Sequence, residues 1–301
     1  MPKSLREFTT ADWRHLRPLT QTVKSWRYRR VDSIYRRRGA RAGDSEAVAA
    51  SIRSRKVLVT VAFSDPQLLS WQTRLVRRYV PDTVHAIVDN SPADEVAAVN
   101  ARIAGDAGVA YVRAPPNPWS GQRAREGASD QARAASRSHG IVLNWTWHNI
   151  IRPGAPEAFG FIDHDMFPTA ADDPFAPLAG QDVYGVVRTA GPRWFLWAGF
   201  CMFRFAAVKD KPLDFAQDWF IGLDTGGGNW NALYRGIDRN LLREPPTTFV
   251  PFRAGIEVAE GPLQWCGIWL HEIGLMGDPG LMGEKRAAVA RLLAPYLNPA
   301  P

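Results

Sequence analysis

The sequence predicts an α/β protein with a doubly wound, mostly parallel sheet flanked by helices and preceded by a basic helical arm. Three observations predict it. From residue 55 onward, short runs rich in Val, Ile and Ala alternate with helix-length stretches, the order that parallel sheets require. One apolar run, residues 159–168, closes on two carboxylates, Asp163 and Asp165, before Pro168 stops the ladder. Finally, 301 residues with 46% hydrophobic content suffice for one large α/β core or two modest domains.

The charge is uneven. Residues 1–41 carry twelve Lys and Arg against Glu7, Asp12 and Asp32, a net of +9, which leaves −2 for the rest of a chain whose total is +7. The high isoelectric point therefore belongs to the arm. Helix formers over residues 12–38 suit one or two helices broken near Pro18, with Trp13, Leu16, Leu19, Val23, Trp26, Ile34 and Tyr35 as apolar anchors. Such a pattern fits an anionic membrane surface. It also fits a helix packed on the domain or solvated, and a nucleic-acid tail is the third reading. Residues 39–51 read as a linker, so arm and linker together take residues 1–54. No apolar run approaches the roughly 20 residues that span a bilayer, and no signal-peptide core precedes the arm. The expected location is cytoplasmic, with peripheral contact at the inner face of the membrane as the arm's contribution. Cys201 and Cys266 lack C-x-x-C spacing and read as reduced core residues.

Residues 56–63 form the first expected strand, and Asp65-Pro66 opens a helix over 67–79. Residues 84–90 are a second strand ending in Asp89 and Asn90, followed by a helix over 92–104 and a third strand over 109–113. Asp89, at a strand tip, is placed to bind a ribose or a base. A Pro-rich loop holding Trp119 leads into a helical region over 122–151, interrupted near Gly140 and carrying His139, Asn144 and His148. The strand of the two aspartates comes next. Strand alternation puts Asp163 and Asp165 on one side and His164 on the other. Two hard oxygen donors at the carboxyl end of a strand stand where open α/β sheets bind ligands. One or two carboxylates hold Mg²⁺ or Mn²⁺ while leaving positions for substrate phosphates. A D-x-D pattern also arises by chance, but this chain has only this one.

Residues 183–188 and 193–205 read as strands, the second aromatic with Gly199 at its middle, where a ligand or backbone can approach. Residues 213–220 place Asp218 in a helix-like run. The stretch from Asp224 through Gly226, Gly227 and Gly228 to Trp230 reads as a mobile or tightly turned loop of the kind that carries function. His271 falls in an aromatic strand end, and residues 284–297 form a closing amphipathic helix.

In this order the parts resemble the GT-A-fold glycosyltransferases, in particular the inverting family 2-like group, over about residues 55–275. The resemblance rests on strand-end Asp89, the D-x-D at Asp163 and Asp165, the aromatic Trp197-Ala198-Gly199-Phe200 run, an acidic residue some sixty positions later, and the late His271. It implies a nucleotide-binding half over 55–168 and an acceptor half over 169–275. It implies a UDP- or GDP-sugar donor bound by Ala62, Asp89, Asn90, His139 and Asp163, and a glycan or lipid-linked acceptor. It also implies Mn²⁺ or Mg²⁺ held by Asp165, Asp163 and His271, with the imidazole favouring manganese. Inversion would need a carboxylate to take the acceptor hydroxyl's proton, Asp224 first and Asp218 second. Trp197 and Trp230 would stack on sugar rings, with Gly199, Gly226 and Gly227 leaving room beside them. The family's acidic pair on the acceptor helix is not clear in this chain.

Rival readings leave marks of their own. A sugar nucleotidyltransferase carries a glycine- and basic-rich phosphate loop after its first strand, where this chain has Ala62-Phe63-Ser64-Asp65-Pro66. A haloacid-dehalogenase-like phosphatase needs Thr or Val two residues beyond its second Asp, and here Phe167 stands there. The rival from another class is a catalytically silent carbohydrate-binding or scaffolding module of the same fold. Nucleic acid is not an expected partner.

Overall fold

Residues 56–62 read KVLVTVA, and all but the first are buried, so this strand must be covered on both faces. It is the centre of the sheet. The computed structural model describes residues 18–119, 128–217, 224–256, 262–274 and 279–298. In chain order these form α1 (Pro18–Tyr35), α2 (Ser45–Ser51), β1 (Lys56–Ala62), α3 (Pro66–Tyr79), β2 (Val84–Asp89), α4 (Asp94–Ala107), β3 (Ala110–Arg113) and α5 (Ala128–Thr146). A π-helical turn, Trp147–Ile151, extends α5. Then come β4 (Ala158–Asp163), β5 (Met166–Pro168), β6 (Val183–Ala190), β7 (Arg193–Arg204), β8 (Thr247–Pro251), β9 (Pro262–Cys266), β10 (Trp269–His271) and α6 (Pro279–Leu297).

The central sheet has the order β3-β2-β1-β4-β7-β6, parallel from β3 to β4, with β7 and β6 antiparallel at the far side. Val57, Val59 and Val61 face one way, onto a core shared with Ile141, Trp145, Phe159 and Phe161. Leu58 and Ala62 face the other, among residues of α3 and α4. Helices therefore cover both faces, as expected. Strand order reverses at β1, which has β2 on one side and β4 on the other. The carboxyl ends of β1 and β4 thus border the crevice in which open α/β sheets bind ligands.

The structure corrects four local expectations. The expected strand over 159–168 is two strands: β4 ends at Asp163, and β5 leaves for a second, antiparallel sheet of order β5-β10-β9-β8. Gly140 does not interrupt α5; a Cβ there would sit 3.0 Å from Ala216 Cα, so glycine permits close packing inside the helix. The stretch over 39–51 is not a bare linker. Asp44 caps α2 by accepting from the backbone N–H groups of Glu46 and Ala47, and Arg41 and Ala42 bond to Arg113 beside β3. Finally, the described part of the residue 213–220 stretch is not helical, and Asp218 lies outside the described residues.

The arm's α1 packs on the domain, burying Ser25, Tyr28, Asp32 and Tyr35, while Val23, Trp26 and Ile34 are exposed. Trp13 and Leu16 lie outside the described residues. Among the described residues no helix is long and apolar enough to cross a membrane. Cys201 and Cys266 are free and buried.

Candidate active site

The division of the 159–168 run builds the site. Past Asp163 a turn carries His164 and Asp165, and β5 then pairs with β10 in the register His271↔Met166. A residue more than a hundred positions away is thereby set against the carboxylates. One ligand atom from each of Asp163, Asp165 and His271 lies within 4.8 Å of the others. His271 Nε2 stands 3.5 Å from Asp165 Oδ1, and His139 Nε2 3.6 Å from Asp163 Oδ1.

Two glutamines hold this arrangement. Gln72, on the buried face of α3, donates to the backbone oxygens of Asp163 (2.6 Å) and Met166 (2.9 Å), fixing both ends of the turn. Thr60 Oγ1 donates to Gln72 Oε1 at 2.8 Å and has its lone pairs for His85 Nε2 at 2.9 Å. Gln264 Oε1 lies 3.0 Å from His271 Nδ1. Nδ1–H therefore donates there, and the Nε2 lone pair is turned toward the aspartates.

The electrostatics are those of two carboxylates set side by side and partly buried. Burial raises the Asp163 carboxyl above its ordinary range; His139 pulls it down and Asp165 pushes it further up. Burial would raise Asp165 too, but His271, in its protonated form, outweighs it and holds that group below its ordinary range. Asp165 Oδ1 is buried without a hydrogen-bond partner among the described residues. Two carboxylates, one of them with this orphaned buried oxygen, and an imidazole lone pair make a donor set that fits Mn²⁺ or Mg²⁺. Asp163, Asp165 and His271 would hold the ion.

Two cavities meet at this pair. One, of about 170 Å³, is lined by Val61, Phe63, Asn90, Trp119, His139 and His164 among others. The second, of about 490 Å³, runs past Arg188, Phe195, Trp197, Asp224 and His271. Both include Asp163 and Asp165. Asp224 is exposed and lines the second cavity, and its Oδ1 accepts from Ser136 Oγ (2.5 Å) and the Thr225 N–H (2.7 Å).

Several expected site residues have other work. Asp89 is fully buried: Oδ1 accepts from the Ser91 N–H, and Oδ2 from Asn100 Nδ2 and the Tyr111 hydroxyl. Its neighbour Asn90 is the one that reaches the cavity. Ala62 is buried, its carbonyl accepting from the Asn90 N–H, and Val61 and Phe63 line the cavity on either side of it. Because β4 stops at Asp163, strand alternation does not extend to His164, which faces the same cavity as the aspartates. Trp197 edges the second cavity but is only 8% exposed. Its ring is engaged by His271 (centroids 4.7 Å apart) and by the Arg188 guanidinium at 5.5 Å. Gly199 gives room to the Trp197 indole, which folds back over it. Gly226, at φ +97°, lets the loop press on the Leu196 carbonyl, and Gly227 is buried in the following turn. Trp230 packs against the main core and lines neither cavity.

Residues missed by the sequence reading include Gln72, Gln264, Phe63 and, as a cavity wall, Trp119. Gln72 had a signal: a polar residue among Leu68, Leu69, Leu75 and Val76 on the buried face of an amphipathic helix needs a buried partner.

No protein-family model matches the sequence, and no curated protein does. Among solved structures the chain is similar to the mannosyltransferase PcManGT from Pyrobaculum calidifontis in complex with GDP-Man and Mn²⁺, at 15% identity, over 66% of this chain and 57% of that one, TM-score 0.35. It is also similar to the galactosyltransferase LgtC in complex with donor and acceptor sugar analogs, at 14% identity, over 49% of this chain and 57% of that one, TM-score 0.35. The PaToxG glycosyltransferase is similar at 10% identity, over 73% of this chain and 80% of that one, TM-score 0.34. The chain thus spans 57% of the length of the first two.

Proposed function

We propose that the chain is a metal-dependent glycosyltransferase, moving a sugar from a UDP- or GDP-sugar to an acceptor hydroxyl with inversion. One observation carries the reading: the Asp163, Asp165 and His271 cluster sits at a sheet switch point between two cavities, with the Asp224 carboxylate across the second. The smaller cavity suits the nucleoside, with Phe63 and Trp119 as apolar walls and Asn90 as its polar contact. The second cavity suits the sugar and the acceptor.

What a divalent cation supplies at the cluster is neutralisation of the charge that builds on the departing diphosphate. The chain's own groups do the rest. Gln72 and Gln264 fix the carboxylates and the imidazole in place before substrate arrives, so no reorganisation is needed later. Asp224 Oδ2 accepts the acceptor hydroxyl's proton, while Ser136 and Thr225 steady its other oxygen. Trp197 and Arg188 wall the sugar side rather than stacking on an open ring face. The acceptor class is a glycan or a lipid-linked sugar, and the site of action is the cytoplasm, with the arm's exposed Val23, Trp26 and Ile34 beside its arginines available to a membrane face.

Release of nucleoside diphosphate from UDP- and GDP-sugars, with and without Mn²⁺, tests the reading. The expected result is manganese-dependent release, lowered at least about 100-fold by Asp165→Asn with the fold intact. Asp224→Asn is expected to lower kcat by about 100-fold or more with KM for the donor little changed. A wild-type chain that releases nothing from any donor would favour the silent module instead.

A further inference from the structure

A cavity of about 610 Å³ lies apart from the two just described and shares no lining residue with them. Its origin is local. Helical spacing turns Ser25, Tyr28 and Asp32 of α1 to one face, Arg36 follows them in the turn just past the helix, and all four border the cavity. Opposite, the end of α5 widens into the π-helical turn Trp147–Ile151, a feature found often at functional sites, and His148 meets Arg36 there.

The inner part of the cavity is a satisfied polar network. Arg36 Nε pairs with Asp32 Oδ2 at 3.0 Å, and Nη1 donates to His148 Nε2 at 2.5 Å. Asn144, 1% exposed, donates to Asp32 Oδ1 at 3.1 Å and to Asp214 Oδ1 at 2.8 Å. Burial, reinforced by Arg36, pushes the His148 imidazole down to about 4, so it stays neutral at pH 7. Around the mouth stand Arg29, Arg152 and Lys211, exposed, from three separate segments, none with an ion-pair partner among the described residues. Four cations face two carboxylates, a surplus of two positive charges. Like charges brought together from separate segments repel unless an anion joins them.

We propose that this cavity binds a phosphate monoester, its dianionic phosphoryl group held by Arg29, Arg152, Lys211 and the remaining Nη2 edge of Arg36, against the Tyr28 wall. Guanidinium forks match phosphate oxygens in geometry, and the charge surplus matches a dianion. The site needs neither a metal nor the carboxylate pair, so it stands or falls separately from the glycosyltransferase reading.

The test follows the His148 ring signals of the full chain by NMR in EDTA, titrating glycerol 3-phosphate, with sedimentation of phosphatidic acid vesicles as a second arm. Arg152→Ala/Lys211→Ala alters only exposed side chains, and an unchanged melting temperature checks that it folds. A saturable His148 shift, weakened at least about tenfold in the double variant, supports the proposal and assigns a soluble ester. Vesicle binding that the double variant loses supports it and assigns a lipid headgroup. No saturable shift, together with vesicle binding indifferent to the double variant, overturns it. A shift of equal affinity in both proteins, with vesicle binding also indifferent to the double variant, overturns it as well.

Discussion

Asp165 shows what one residue can reveal before any coordinates and what it cannot. Its place after an apolar run marked it as a ligand-binding carboxylate, and the structure sets it beside Asp163 and His271. Asp89 had the same mark at the tip of β2, yet its oxygens are consumed by Ser91, Asn100 and Tyr111. A strand-end acid is legible in the sequence; whether its hydrogen bonds are already taken is not, because the partners come from other elements. Gln264 belongs to the same lesson. It holds the His271 tautomer through Nδ1, and Gln264→Ala is expected to weaken Mn²⁺ binding about tenfold or more and, because the side chain is fully buried, to cost about 1–3 kcal/mol of stability as well. Calorimetric titration of Mn²⁺ into both proteins measures this, and equal affinities would show that Gln264 does not orient the imidazole.

Among elements, the alternation of strands and helices from residue 56 to 113 was legible because each strand is a short apolar run bounded by turn residues. Asp65 before Pro66 marked a helix start, and its side chain does accept from the Leu68 N–H. The split of the 159–168 run was not legible, since β5 is only three residues long and owes its place to pairing with β10. The glycine loop was legible only as mobile or tightly turned; it is docked on β7, with the Thr225 carbonyl accepting from the Ala198 N–H at 3.4 Å, and the Gly226 N–H bonds to the Phe215 carbonyl at 2.8 Å. Gly226→Ala would place a Cβ against the Leu196 carbonyl at a positive φ. The expected cost is about 2–3 kcal/mol, with a fall in turnover as Asp224 loses its placement. Urea unfolding of the variant measures the first part; wild-type stability would mean the loop does not depend on that contact.

For the whole molecule, the basic arm could be read as a composition but not as a contact. The structure packs α1 on the domain through a buried carboxylate. Burial, above all, raises Asp32 from 3.8 to about 6, against the pull of Arg36. A carboxyl that holds its proton more tightly folded than unfolded adds stability in full below 3.8, and that contribution is lost as pH rises through about 6. From about pH 4 to 7, wild type should therefore lose about 2 kcal/mol relative to Asp32→Asn. Parallel urea titrations at several pH values read this difference, and a constant difference would contradict the burial argument.

The most direct measurement of the central claim is manganese binding to the carboxylate pair, followed by the loss of the free Mn²⁺ signal in electron paramagnetic resonance as protein and nucleoside diphosphate are added. The site described here predicts one ion bound per chain, tightened by UDP or GDP, and binding lost in Asp165→Asn and His271→Ala. Full binding retained in both variants, or none in the wild-type chain, would contradict it.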